Sequence, residues 1–252
     1  MQASQALEDP WVGSRRVVPM RPHIWRWIAT VVENGQVLEI GPGLRPTAPV
    51  ESSHFVDASP HALTQLAARG GRIAAAGGRL PFQDRFFSAV LAFEVLEHVE
   101  EDDVLVAEIA RVLGPEGLFI LSTPIRSSLW SPLDEACNHV RRYEPDDLFR
   151  KVRDNGFEIE GYATTPAPSP IVSRARARIL TADRRIATTV VQGLVFPVQA
   201  ACQRAFGAVR WASPDSPVPV QAGNIILYAR LRRSDEKPVS VRALGAKSTS
   251  GV

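Results

Sequence analysis

The sequence predicts an α/β protein built on a largely parallel sheet with helices on both faces. Three observations carry that prediction. Short apolar runs alternate with helix-spaced segments from residue 37 to residue 163, the order expected of strand–helix–strand units. Runs such as VLEI and LFIL are apolar at nearly every position, as strands covered on both faces are. The chain has 252 residues, 45% hydrophobic and 22% charged, enough for one sizeable domain or one domain with an insertion.

Residues 20–34 read as an amphipathic helix. Pro22 suits its first turn, Ile24, Ile28, Val31 and Val32 are spaced helically, and Asn34-Gly35 ends it. QVLEIG is the first strand and HFVDAS, residues 54–59, the second. A helix follows, with Ser59 as N-cap, Pro60 at its first position and Gly70-Gly71 as its stop. RIAAA is a weak third strand and FFSAVLAF, residues 86–93, a stronger fourth. Residues 100–113 form a helix opened by four acids, which suits the positive end of the helix dipole. Val104, Ile109, Val112 and Leu113 supply its apolar face. GPEG turns the chain into a fifth strand, LFILS. Pro145 opens a helix that Gly156 ends, FEIEGYA is the sixth strand and NIILYARL, residues 224–231, the seventh.

Charge divides the chain unevenly. Residues 1–164 carry a net −7, residues 165–222 a net +5 and residues 223–252 a net +4, which points to surfaces with different roles. The expected organisation is an N-terminal helical segment (1–35), a core (36–164), a basic, partly helical insertion (165–222), a last strand (223–233) and a disordered tail (234–252). Cys137 and Cys202 lie far apart and form neither a disulfide framework nor a zinc pattern. With no signal-type apolar segment at the N-terminus, a cytoplasmic location is expected. Residues 186–203 carry no charge over 18 positions, but only 11 are apolar, which argues for a buried or interfacial helix over a membrane span. SRARARILTADRR, just before it, is either a solvated surface or a contact for anionic headgroups or a phosphorylated acceptor. Nucleic acid is not an expected partner, because aromatics do not interleave with the basic residues.

In an open parallel sheet, ligands bind beyond the carboxyl ends of the strands. The first such exit is VLEIGPGLRPTAP, residues 37–49. A dinucleotide fingerprint would need glycine at position 46, where the chain has Pro46. It would also need a helix whose N-terminus meets a pyrophosphate, and the short, proline-bearing run to His54 leaves little room for one. That argues against a nicotinamide-dependent reductase. No Gly-Lys-Ser/Thr follows, so the P-loop pattern fails as well. S-adenosylmethionine (SAM) has no phosphate; its loop needs close backbone approach, which glycine permits. Asp57, at the second strand exit, is placed to accept both ribose hydroxyls.

The ordered set VLEIGPG, VDAS, GRLPFQDRFFSAV, EVLEHVE and RVLGPEGLFILSTP resembles the successive motifs of class I SAM-dependent methyltransferases. CNHVRRYEPDDLFRKVRDNGFEIE resembles a downstream segment of a small-molecule branch, with His139, Arg141 and Tyr143 in a His-x-Arg-x-Tyr run. The resemblance implies a Rossmann-like seven-stranded sheet whose last strand, after the insertion, is antiparallel. It implies SAM as cofactor, with Gly41, Pro42 and Gly43 lining the methionine part and Glu39 supporting the loop or the amino group. Asp57 and Ala58 would border the ribose, Ala76 and Leu80 the adenine, and Glu94 the cofactor or reaction centre. Two positions depart from the family: Ala76 stands where an acid often meets the adenine amino group, and Ser88 replaces a mostly structural Asp.

For the reaction, His139, His98, Glu94 and Tyr143 are the catalytic candidates. A base assists transfer to a hydroxyl, and histidine is the commonest one. His98 serves either as that base or as a helix-start capping residue, and His139 either as a base or as a structural residue. Glu94 and Glu97, with Asp134 and Glu135, form an acidic group that either binds a cation or is solvated; no metal is assigned. Arg141 and Arg142 either grip an anionic acceptor or pair with nearby acids. His23, His54 and His61 read as surface or helix-end residues. The expected activity is methyl transfer from SAM to a small-molecule or lipid-linked acceptor, at oxygen, with the insertion closing over the acceptor. Peripheral contact with an anionic membrane is a further expectation. The alternative is a SAM-fold protein that binds without methylating.

Overall fold

The computed structural model describes residues 22–32, 35–75, 79–181 and 210–232. Strands β1 (Val37–Ile40), β2 (His54–Asp57), β3 (Arg72–Ala75), β4 (Phe87–Phe93), β5 (Leu113–Pro124), β6 (Phe157–Pro166) and β7 (Ala222–Leu231) form one sheet, in the order β3-β2-β1-β4-β5-β7-β6. The pairs from β3 through β5 are parallel, and β7 runs antiparallel to both β5 and β6. The helices are α1 (Pro22–Val31), α2 (Pro60–Ala67), α3 (Asp102–Val112), α4 (Pro132–Ala136), α5 (Pro145–Asp154) and α6 (Pro170–Thr181).

Two apolar layers sandwich the sheet. On one face Val106, Ile109 and Val112 of α3 and Leu148 and Val152 of α5 join Leu38 and Ile40 in one buried cluster. On the other, α1 and α2 bring Ile24, Ile28, Ala62 and Leu66 against Val37 and Leu91. The alternation of Val37 and Leu38 between layers is the two-residue period of a strand, and each aliphatic side chain buried this way contributes about 1.5–3 kcal/mol. Trp27 of α1 packs on Trp211 and Tyr228, with ring centroids 4.9 and 4.8 Å away, which ties the N-terminal helix to β7. The predicted cap of α2 is present: Ser59 Oγ accepts from the Ala62 N–H at 2.9 Å.

Between β1 and β2 there is no α-helix, only a short 3-10 turn at Val50–Ser52. Leu44, Ala48 and Val50 are buried beside α1 and α2, so the connection fills the helix layer with loop side chains. A parallel pair needs a crossover of a dozen or so residues, and this one meets that requirement without a helix.

Two expectations are corrected. Val104 does not belong to the apolar face of α3; it is 47% exposed, and Val106 is buried instead. The buried stripe runs through Asp102, Val106 and Ile109, because Asp102 is drawn inward by Arg141 at 2.9 Å and Lys151 at 3.2 Å. GPEG does not precede β5 but sits within it. Leu113 pairs with Phe87 and Leu118 with Ala89, so residues 114–117 bulge out of the ladder, with Glu116 at a positive φ of 61°.

The sheet order defines a switch point. From β1 the chain moves outward to β2 and β3, then returns to the other side of β1 for β4. The crevice for a ligand therefore lies beyond the carboxyl ends of β1 and β4.

Candidate functional site

The first wall of that crevice is the glycine loop. Gly41 and Gly43 have φ of +64° and +54°, a region that residues with a Cβ avoid. A Cβ on Gly41 would also lie 2.8 Å from Val95 Cγ2. Two carboxylates hold this shape. Glu39, 2% exposed, accepts from the Thr47 N–H at 2.9 and 2.8 Å and from the Ala48 N–H at 2.9 Å. Its side chain lies on the Val37 side of the strand, where the loop packs. Asp57 accepts from the Gly43 N–H and the Ser59 N–H, both at 2.7 Å. In place of a helix N-terminus, two strand-borne acids organise the backbone donors. Pro42 is buried, while Gly41 and Ala58 are exposed toward the exits of β1 and β2.

The β3–β4 connection is the second wall. Leu80 is buried; its N–H donates to Glu108 Oε2 and its carbonyl accepts from Arg111, each at 2.9 Å. Arg111 also donates to the Phe82 carbonyl at 2.8 Å and to Asp84 at 2.7 Å. The hydrogen bond from Arg111, helped by the Leu80 N–H, overcomes desolvation and holds the Glu108 carboxyl below the usual range. Ala76 lies outside the described residues.

Opposite the loop stands Glu94, at the exit of β4. Its φ is +56°, an uncommon conformation for a non-glycine residue and one that clusters at functional sites. Its carboxylate accepts from Ser122 Oγ at 2.5 Å and from Asn224 Nδ2 at 3.0 Å to each oxygen. One acid thus joins the ends of β4, β5 and β7. Ser122 and Asn224 carried no signal in the sequence, since each is a small polar residue next to an apolar run.

His98 and His139 meet beside Glu94, with ring centroids 4.8 Å apart and planes at 82°. His139 Nδ1 is 2.9 Å from Asp134 Oδ1. Asp134 is 1% exposed and is also held by Arg142, at 2.8 and 3.0 Å, and by the Ser131 N–H at 2.8 Å. Burial alone would raise the Asp134 carboxyl, but the bonds from Arg142, His139 and Ser131 outweigh it and lower it. As an ionised acceptor, Asp134 favours the neutral His139 tautomer that carries its hydrogen on Nδ1 and its lone pair on Nε2. Desolvation, then the neighbouring His139, push His98 below its ordinary value. Glu97 is fully buried, accepts from Thr123 Oγ1 at 3.1 Å, and has Oε1 4.0 Å from His139 Nε2.

Other candidates sit elsewhere. Tyr143 is 5% exposed, and its hydroxyl donates to Asp102 and to the Leu96 carbonyl; desolvation, then Asp102, raise it far above the usual tyrosine range. The hydroxyl is turned into the core toward α3. Arg141 pairs with Asp102 and Arg142 with Asp134, the structural fate of the two weighed above. The four acids do not form one cluster: Asp134 faces Arg142 and His139, while Glu135 is exposed on α4. Glu135 lines a cleft of about 480 Å³ with Arg174 and Arg178 of α6. His54 is not a surface residue. It packs edge-on against Phe82, Phe86 and Phe87, with centroids 5.3–5.9 Å away.

This strand order, with a glycine loop at β1 and acids at the exits of β2 and β4, defines a Rossmann-like sheet of the class I methyltransferase type. Solved structures share it. A methyltransferase described as putative, from Bacillus halodurans, superposes with a TM-score of 0.58 at 15% identity, over 84% of this chain and 99% of its own. The cyclase SpnF gives 0.55 at 19% identity, over 84% and 80%. At such identities the likeness concerns the fold. A family described as "Methyltransferase domain" matches residues 38–121. A probable S-adenosylmethionine-dependent methyltransferase of Mycolicibacterium smegmatis is 35% identical over 83 residues, 32% of each chain. One from Mycobacterium tuberculosis is 36% identical over 80 residues, 31% of this chain and 29% of its own. The chain thus spans about a third of the length of these curated relatives.

Proposed function

We propose that this protein transfers a methyl group from SAM to a small-molecule or lipid-linked acceptor, at oxygen. The observation that carries the reading is the pairing, at the switch point, of a glycine loop held by Asp57 with a histidine pair beside Glu94. Gly41, Pro42 and Gly43 would line the amino-acid end of the cofactor. An ionised carboxylate has roughly four acceptor sites, so Asp57 can hold the loop and take ribose hydroxyls together. Leu80 would border the adenine. The cofactor, when bound, supplies an activated methyl on a sulfonium.

The chain's own residues position the acceptor and receive its proton. Fixing the two reactants in line is worth roughly 7–11 kcal/mol of barrier. His139 Nε2, with Nδ1 anchored on Asp134, is the proton acceptor for a hydroxyl, and His98 lies beside it. Glu94, braced by Ser122 and Asn224, sets the boundary between cofactor and acceptor. Tyr143 acts by positioning, since it joins Asp102 to the Leu96 turn. The segment 165–222 supplies the acceptor side. Its α6 exposes Ile171 at 78% and Val172 at 47% beside exposed Arg174, Arg176 and Arg178, a composition suited to an anionic lipid surface.

Methyl release from labelled SAM, measured with a panel of hydroxylated acceptors, tests the activity. Turnover that falls at least about a hundredfold in His139→Ala supports the assignment of the base. Cofactor binding without turnover on any acceptor would favour a protein that binds SAM and does not methylate.

A further inference from the structure

We propose that Glu97, His98 and His139 bind a divalent transition-metal ion at the acceptor side of the crevice. This inference rests on the methyl-transfer reading and adds a metal to it. One ligand atom from each residue lies within 4.8 Å of the other two. Two imidazoles and one carboxylate are the donor set of catalytic sites that keep a position open for substrate. Metal-bound atoms at about 2.0–2.2 Å from a common ion stand roughly 3–3.5 Å apart, so the three must close by about 1 Å. His98 is exposed and its ring can swing to do so.

Each of the three is already held from behind. His139 Nδ1 is bound by buried Asp134 at 2.9 Å, which aims Nε2 toward Glu97 Oε1 at 4.0 Å. His98 makes a backbone hydrogen bond at Asn138, which commits one ring nitrogen and leaves the other for a ligand bond. Thr123 Oγ1 donates to Glu97 Oε2 at 3.1 Å. Outer partners of this kind fix tautomer and ring direction in metal sites. A structural histidine pair has no need of an Asp–His–Glu line with a second imidazole across it. Two nitrogen donors favour zinc-like ions over magnesium, which prefers oxygen and retains its waters.

The ion would take the acceptor hydroxyl in its open position and lower its pKa. The O–H bond then breaks with the proton passing to solvent water, the oxygen forms the new bond to the methyl carbon, and the C–S electron pair returns to sulfur. With the ion present the imidazoles are ligands, and the ion replaces His139 as the means of activating the hydroxyl.

Calorimetric titration of the full chain with Zn²⁺, paired with Co²⁺ absorption spectroscopy, tests the site. One ion per chain should bind, and His98→Ala should weaken binding by roughly tenfold or more while keeping the fold, since the ring is exposed. Cys137→Ser should leave binding unchanged, which separates this site from the nearby thiol. No saturable binding, or binding untouched by His98→Ala, overturns the proposal. S-adenosylhomocysteine titrated into the same sample separates the two readings. If it binds and zinc does not, only the metal site fails; if it does not bind, the methyl-transfer reading fails.

Discussion

Glu39 and Asp57 show how one carboxylate can replace a structural element. Both sit at strand ends, and both accept backbone N–H groups from the connection that follows β1. Glu39→Ala strands two buried donors, Thr47 and Ala48, each costing about 1–3 kcal/mol. We expect a loss near ~3 kcal/mol in urea unfolding, and a change below about 0.5 kcal/mol would show that water serves those donors equally well. The glycines of this loop were legible in the sequence, because a positive φ beside Val95 leaves little choice of residue. The role of Glu39 was legible only as two alternatives, since the partner of a carboxylate depends on where the loop passes. Tyr143 was misleading for a related reason. Its motif neighbours His139 and Arg141 are local, but the Asp102 that captures its hydroxyl is 41 residues away.

At the scale of elements, α3 works through both of its ends. Its N-terminal Asp102 anchors Tyr143, Arg141 and Lys151, and its C-terminal Glu108–Arg111 pair clamps the β3–β4 connection. Because Glu108 is held below its ordinary value of 4.5, its contribution to stability is complete above that pH and is lost as pH falls through the lower folded value. Acid titration of stability should therefore be shallower below pH 4.5 in Glu108→Gln than in the wild type; identical slopes would contradict the clamp. Periodicity places Val104 with Ile109, Val112 and Leu113 on the apolar face of α3, because an inward-facing acid at position 102 cannot be read from periodicity alone. Helix α6 carries the lipid-surface proposal. The chain should float with anionic vesicles, and Ile171→Ser combined with Arg174→Ser and Arg178→Ser should abolish flotation. Equal recovery of the two proteins would remove α6 from that role. Among the described residues no helix is long and apolar enough to cross a membrane. The uncharged stretch 186–203 lies outside them, as do the rest of residues 182–209 of the basic insertion and the tail beyond 232.

Across the whole molecule, strand identity and order were the most legible features. Buried parallel strands announce themselves as continuous apolar runs, and the run of turns and caps between them fixes their succession. The relation of β4 to β7 was not legible, because it depends on Ser122 and Asn224 reaching Glu94 from opposite strands. The histidine pair was visible as two separate candidates, 41 positions apart in the chain. Only the fold brings their rings to 4.8 Å. The central claim is that the crevice between the β1 loop and Glu94 holds SAM through Asp57. Calorimetry with S-adenosylhomocysteine addresses it most directly. Saturable binding to the wild type, weakened at least about tenfold in a folded Asp57→Ala variant, is the predicted result. No heat of binding at millimolar ligand, or equal affinity in the two proteins, would contradict it.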